Sequence, residues 1–579
     1  MAEHQVAESE AATSEVRNIR GEDIEVALRK AAPIDEEGAL EPGRSVVDGI
    51  VYDRDVAVQL RDGTTIYTDV YRPAGATNLP AIIAWSPYGK RAGYARKTFM
   101  PGVPPGTYSD MTKAEGPDPA YWCYHGYAII NPDARGAGNS EGTIHIFGSG
   151  EGRDCADLVE WVAAQEWSNG KVGMSGNSWL AVSQWFTAAE QPPHLTCIAP
   201  WDGFVDTYDS LFCGGGVPEI GFTGMVASML QGQGHLEDAV AMNRKHPFMD
   251  TYWEDKVVAL DKIEIPTYVC AGWTNPLHTK GSIEGFRRIA SDEKWLRAHR
   301  EFEWPDYYSW QSLEDLRRFF DRYLKGIRNG WELTPPVRID VMDAGDTNYQ
   351  SERAEKDFPL EHTKYQQLFL DAENHTLTPS PVDHESAVAY KAEDGLVSFD
   401  MPFDQITELT GYMKLRLWVE ARDADDMDLF VAVQKADADG TFVPMEYLGF
   451  PHAGALGLLR VSHRELDEKR STPAEPVVTH RREQLLEAGQ IVPVDIAIWP
   501  SSRIWYPGER LRVVVSGHRT PAWFLPFAWE LRNRGEHVIH AGGKYDSHLL
   551  VPVISGRRLT ETGSAQAEAG ARLFGQFDH

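Results

Sequence analysis

From residue 51 onward the chain alternates short apolar runs with stretches whose apolar residues recur every three or four positions. The runs are VAVQL (56–60) and TTIYTDVYRP (64–73), which flank an RDG turn, then LPAIIAW (79–85), GYAIINPD (126–133), KVGMSG (171–176), LTCIAPW (195–201) and IPTYVCAGW (265–273). Apolar runs of this length, bounded by turn residues, predict strands. Between them, CADLVEWVAAQ (155–165) and WLAVSQWFTAAE (179–190) have helical spacing. Strands separated by helices of this length predict a mainly parallel sheet covered on both faces, an α/β architecture.

The rhythm breaks between 204 and 262, where Gly-rich turns alternate with helical pieces such as GHLEDAVAMNRK (234–245). That stretch suits an inserted helical cap over the carboxyl edge of the sheet. After Pro335 short strands recur at regular intervals: KLRLWVEA (414–421), DLFVAVQKA (428–436), VPVDIAIW (492–499) and ERLRVVVSG (509–517). This pattern is that of an all-β sandwich or jelly roll. The first 44 residues are acidic and poor in aromatics, with one short helix expected in EDIEVALRKAA (22–32), stopped by Pro33. The expected division is an N-terminal arm (1–44), an α/β domain in two parts (45–204 and 263–340) interrupted by the cap (205–262), and a β jelly-roll domain (341–579).

Length and composition agree with several domains. A chain of 579 residues is too long for one hydrophobic core, and 42% hydrophobic with 25% charged residues is the composition of a folded protein. The net charge of −30, from 86 acidic against 56 basic residues, repels nucleic acid as a partner. The five cysteines are scattered without a CxxC pair, which argues against zinc ribbons and a disulfide framework. The N-terminal residues lack a basic start and an apolar core, and no run approaches the ~18 apolar residues of a membrane span, so a cytoplasmic chain with no membrane partner is expected. No HExxH spacing appears, and HVIH (537–540) in a strand puts its histidines on opposite faces, so neither a metal nor a cofactor is implied. DARGAGNSEG (133–142) lacks the GK[ST] ending of a phosphate loop. Asp133 and Arg135 are expected to pair with each other. Composition leaves open whether the chain assembles with copies of itself.

The segment KVGMSGNSWLAVSQWFTAAE (171–190) carries the chemistry: a strand, a tight turn of small residues, then a helix. Such a turn lifts a serine hydroxyl above the sheet with the next backbone N–H facing the substrate oxygen. Two serines compete. Ser178, in Gly176-Asn177-Ser178-Trp179-Leu180, sits where strand gives way to helix; Ser175 lies three residues back, inside the strand end. Ser178 is preferred. A serine N-cap on an ordinary helix is the structural alternative.

Several separated stretches, in order, resemble the cocaine esterase and nonactin hydrolase (CocE/NonD) family, related to X-Pro dipeptidyl peptidases and α-amino acid ester hydrolases. They are WSPYGK (85–90), GYAIINPDARGAGNSEG (126–142), GMSGNSWLAVSQW (173–185), AGWTNPLHTKG (271–281), RRFFDRYLKG (317–326) and the β-rich C-terminal half, so that the resemblance runs from 51 to 554. It implies an α/β-hydrolase fold with an inserted helical cap and a C-terminal jelly roll. It also implies a serine hydrolase that cleaves the ester or related acyl bond of a small molecule through an acyl-enzyme on Ser178. In that family the nucleophile is followed by Tyr or Trp and then Leu, as here. The resemblance places the oxyanion hole on the Trp179 backbone N–H and the Tyr88 hydroxyl, and the base on His299, with His278 the nearest rival.

The triad acid departs from the family pattern. Where the family reads GWxD this chain has Gly272-Trp273-Thr274-Asn275. Asn275 as a neutral orienting partner is the direct alignment; Asp202 and Asp206, after the strand before the cap, are the alternatives for a relocated carboxylate. Release of a dipeptide or acyl group from an amide, and a non-catalytic hydrolase-like binding protein, are the rival functions.

Overall fold

The computed structural model describes residues 13–34, 39–91, 100–519 and 525–554. The described residues form two compact units: the first holds 13–34, 39–91, 100–296, 301–334 and 525–531, the second 297–300, 335–519 and 532–554.

The first unit is built on one sheet. Its strands are β3 (Gly43–Val47), β4 (Ile50–Gln59), β5 (Thr65–Pro73), β6 (Leu79–Ile83), β7 (Ala128–Pro132), β8 (Ser168–Asn177), β9 (Leu195–Trp201) and β11 (Thr267–Gly272), numbered after an N-terminal β1 (Thr13–Arg17) and β2 (Asp23–Lys30), with β10 (His235–Glu237) lying outside the sheet. Pairing gives the order β3-β4-β5-β7-β6-β8-β9-β11, antiparallel as far as β7 and parallel from there on. β6 and β7 are buried at every position, since helices cover both faces of a parallel sheet and leave no side for polar alternation. The helices are α1 (Pro119–Tyr124), α2 (Ser149–Ala163), α3 (Trp179–Ala189), α4 (Gly221–Met229), α5 (Ala239–Lys245), α6 (Thr251–Glu254), α7 (Thr279–Arg288), α8 (Glu303–Tyr307) and α9 (Trp310–Leu324). α9 lies close behind β8: a Cβ at Gly173 would come within 3.0 Å of the Phe320 ring.

Three expectations are corrected. The helix expected over 22–32 is strand β2, because Ile24 and Val26 alternate with the exposed Asp23 and Glu25 and the backbone pairs with both β1 and β10. That β10 strand likewise takes the start of the helix expected over 234–245, so α5 begins only at Ala239, capped by the Asp238 carboxylate. Asp133 and Arg135 do not pair: Arg135 makes a two-pronged bond to Asp154 at 2.6 and 2.7 Å, and Asp133 binds Lys90. Residues 525–531, which fall between strands of the second unit in sequence, belong to the first; the Glu219 carboxylate accepts the Ala528 N–H at 3.1 Å together with those of Gly221, Phe222 and Thr223 at the start of α4.

The second unit is strand-rich. Thr407–Arg422 pairs antiparallel with Val492–Trp505, Glu536–Ala541 and His548–Ile554, while Arg510–Ser516 lies between Leu396–Pro402 and Asp428–Ala436. Met413, Leu415, Leu417, Val419 and Ala421 are buried with less buried residues between them, the period of two that the sequence shows. No described helix is long and apolar enough to cross a membrane.

Candidate active site

β8 ends at Asn177 and α3 starts at Trp179, which leaves Ser178 alone in the turn with φ 54° and ψ −119°. A non-glycine residue there is strained by ~1–3 kcal/mol, and the strain persists only where the surroundings hold it. Three contacts hold it. The Ser178 N–H donates to the carbonyls of Asp202 (2.9 Å) and Trp201 (3.2 Å), and the Asn177 N–H to that of Glu115 (3.2 Å). Gly176 has φ 134°, and a Cβ on it would lie 2.5 Å from Leu180 Cδ2 and 2.9 Å from the Glu115 carbonyl. Leu180, fully buried where the GxSxG pattern has a second glycine, therefore makes the glycine at 176 obligatory. Ser178 stays half-buried while its neighbours are buried. Ser175, the competitor, is buried with its hydroxyl 2.8 Å from the Tyr307 phenol.

Tyr88, half-buried in the turn after β6, is hydrogen-bonded through its hydroxyl to the Ser178 side chain. Its ring meets Trp179 edge-on at 5.8 Å. The Trp179 N–H opens α3, where first-turn amides have no intrahelical partner and point outward. Both the Trp179 and the Trp85 indoles donate to Glu151 Oε1, at 2.8 and 2.9 Å.

Three buried glutamates contact the residues on either side of the serine: Glu151 accepts from the Trp179 indole, and the backbone carbonyls of Glu115 and Glu303 accept from Asn177. Burial pushes Glu151 up to about 7 and Glu115 up to about 8, and burial together with the charges of Asp202 and Glu115 holds Glu303 well above the carboxylate range. Burial, reinforced by these glutamates, raises the Tyr88 phenol well above its ordinary value, so it is a neutral donor at any physiological pH.

The residues weighed for the acid differ sharply. Asn275 Oδ1 accepts the N–H groups of Leu277 (3.0 Å) and His278 (3.2 Å), and its amide donates to Glu303 Oε2 at 2.9 Å. Both carbonyl lone pairs are thus engaged by backbone. Asp202 follows β9 in the left-handed region (φ 48°), fully buried; its N–H donates to Cys270 O (3.0 Å), and its Oδ1 accepts the Gly272 N–H (2.7 Å). Asp202 therefore ties the nucleophile turn to the end of β11. Asp206, also buried, accepts the Asp209 N–H at 3.1 Å, and burial with the Asp209 charge raises it to about 6.

His299 is the last residue of a further strand, β12 (Lys294–His299), and is buried. His278, the rival base, occupies the position before α7 without a side-chain capping bond, its ring stacked on Phe204 and its Nε2 3.6 Å from Glu303 Oε2. Burial lowers it to about 4 against the opposing field of Asp202, too far below neutrality for an effective general base. Glu115, Glu151 and Glu303 were missed in the sequence because none lies in a catalytic pattern; only the fold gathers them.

A solved CocE/NonD family hydrolase from Staphylococcus aureus is 34% identical to this chain, covers 94% of it and 98% of its own length, and superposes with a TM-score of 0.82. The chain belongs to the CocE/NonD family. Two family models match in tandem: X-Pro dipeptidyl-peptidase (S15 family) over residues 62–300, and the X-Pro dipeptidyl-peptidase C-terminal non-catalytic domain over 329–550. Cocaine esterase from Rhodococcus sp. (strain MB1 Bresler) is 24% identical over 86% of this chain and 98% of its own. A solved α-amino acid ester hydrolase, 17% identical with a TM-score of 0.66 over 89% of this chain and 98% of that one, shares the fold. This CocE/NonD chain is accordingly a serine hydrolase, with a hydrolase fold followed by a strand-rich non-catalytic domain.

Proposed function

We propose that the protein hydrolyses a carboxylic ester of a small molecule through an acyl-enzyme on Ser178. The observation that carries this reading is the strained Ser178 turn, with the Tyr88 hydroxyl bonded to the serine and the first N–H of α3 beside it. His299, as base, takes the Ser178 proton while Oγ attacks the ester carbonyl. The Trp179 N–H and the Tyr88 O–H receive the negative oxygen of the tetrahedral intermediate. As that intermediate collapses, the leaving alcohol takes the proton from His299, and a water activated by the same base then releases the acid.

Asp202 is our choice for the third member. It keeps the imidazole oriented and stabilises the imidazolium, which an amide does not do, whereas the Asn275 carbonyl is engaged by two backbone N–H groups. Residues 205–262 serve in this reading as the cap that shapes the substrate site, and the strand-rich domain as a jelly roll.

A fluorophosphonate probe followed by peptide mapping tests the nucleophile: label on Ser178 is expected, and label elsewhere, or none, refutes the assignment. Kinetics of one p-nitrophenyl ester test the acid. Asp202→Asn should lower kcat by roughly ten-thousandfold, as exchange of a triad acid does in other serine hydrolases. Asn275→Ala should cost far less. The reverse order sinks Asp202.

A further inference from the structure

We propose that Lys90 and Asp133 are positioning residues for the ester chemistry, fixing the turn that presents Tyr88 to the nucleophile; this rests on Tyr88 serving as an oxyanion donor. The Asp133 segment touches the Tyr88 turn on both sides. Upstream, Ser86 bridges to Asp133, and the Ser86 hydroxyl accepts the Tyr88 N–H at 3.4 Å. Downstream, the Lys90 N–H donates to Asp133 Oδ1 at 2.7 Å, and the Lys90 ammonium binds Asp133 Oδ2 and, at 3.0 Å, Asp55 Oδ1. Only Pro87, Tyr88 and Gly89 lie between these anchors, and Gly89 supplies the turn with φ 93°.

The anchor is itself held. Asp133 follows β7 and donates its N–H to Tyr67 O at 2.9 Å. Its carboxylate lies against Gly138, where a Cβ would come within 2.3 Å of Oδ2. Lys113, buried nearby, donates to the carbonyls of Ala84 (2.9 Å) and Pro132 (3.0 Å), the residues that lead into the Tyr88 turn and into Asp133. Arg91 continues the network, binding Asp55 at 2.6 Å and Asp69 at 3.0 Å.

Lys90 is 3% exposed and Asp133 2%, which is a costly place for charge when apolar residues would fill the same volume. Such a pair resists separation, because moving one partner away leaves the other charge buried and uncompensated, and the geometry it holds here ends at a reacting hydroxyl. An oxyanion donor must stay within about 3 Å of the developing charge, and misplacement by ~1 Å costs on the order of a hundredfold.

A double-mutant cycle between Lys90→Met and Tyr88→Phe on a p-nitrophenyl ester tests this. Tyr88→Phe should lower kcat by roughly a hundredfold. Lys90→Met should lower kcat at least about tenfold with KM changed by less than about threefold, and the double variant should be no slower than Tyr88→Phe alone within about twofold, since coupled residues are not additive. Lys90→Arg should recover part of the loss. If Lys90→Met slows the Tyr88→Phe enzyme as much as it slows the parent, Lys90 acts through something other than Tyr88 and the proposal is overturned. If Tyr88→Phe itself costs nothing, it is the oxyanion reading that fails. Should Lys90→Met not fold, judged by circular dichroism, Asp133→Asn replaces it in the same cycle: coupling to Tyr88→Phe supports the positioning role, and an additive loss overturns it.

Discussion

Replacing Ser178 by glycine or by alanine should destroy activity, and the glycine variant should be the more stable of the two. With φ 54° and ψ −119°, Ser178 occupies backbone space in which a Cβ is crowded, at ~1–3 kcal/mol. Alanine keeps that Cβ, and both variants lose the bond to Tyr88, worth ~1 kcal/mol, so that loss cancels between them. Glycine releases the strain but gains chain freedom on unfolding, an offset of ~0.5–1 kcal/mol. No capping bond is lost in either variant, because the Ser178 side chain makes none to the first turn of α3. The net expectation is glycine above alanine by roughly 1–2 kcal/mol, a few degrees in the midpoint of the catalytic unit. Calorimetry of both variants, scanned at one rate, gives the comparison, and kcat in each should fall by roughly a millionfold. If the glycine variant melts below the alanine variant by the ~1 kcal/mol that glycine costs at an unstrained helical site, the turn stores no strain and the geometric case for Ser178 collapses.

Rate against pH should fall on the alkaline side. Glu151 and Glu115, held up to about 7 and about 8 by burial, are neutral in the active form, and their ionisation puts negative charge beside the forming oxyanion, so kcat drops as pH rises through this range. Glu151→Gln should shift that limb upward, and a flat kcat to pH 9 in both proteins contradicts the argument. The same groups bind protons more tightly folded than unfolded, so between about pH 4.5 and 8 their contribution to stability declines as pH rises, and Glu151→Gln should gain stability relative to the parent at pH 8. Gly176→Ala, with contacts of 2.5 and 2.9 Å and a φ of 134°, should cost about 2–4 kcal/mol in unfolding measurements; an unchanged midpoint would mean the turn relaxes. Glu219→Ala removes an acceptor shared by α4 and residue 528, so limited proteolysis within residues 525–531 should accelerate several-fold, and an unchanged rate would mean other contacts hold that segment.

What the sequence determined by itself was local. The strands from 56 to 273 and from 414 to 517 announce themselves because apolar spacing and turn residues act over a few positions. The Ser178 turn is legible for the same reason: a strand, Gly176 and a helix leave one residue between them. Tertiary structure decided whatever depends on partners distant in sequence. The stretch 22–32 has helix-compatible spacing, yet a strand more than two hundred residues away recruits it into a ladder. The loss of the carboxylate at Asn275 is plain in the sequence, but what Asn275 does instead, and that Asp202 meets Gly272 and the nucleophile turn, follows only from β9 lying beside β11. Likewise Asp133 pairs with Lys90 rather than with Arg135, because the parallel neighbours β6 and β7 bring the ends of two loops together. Burial then sets the charge states of Glu115, Glu151 and Glu303, since the cost of ionising a carboxyl depends on what the whole fold packs around it.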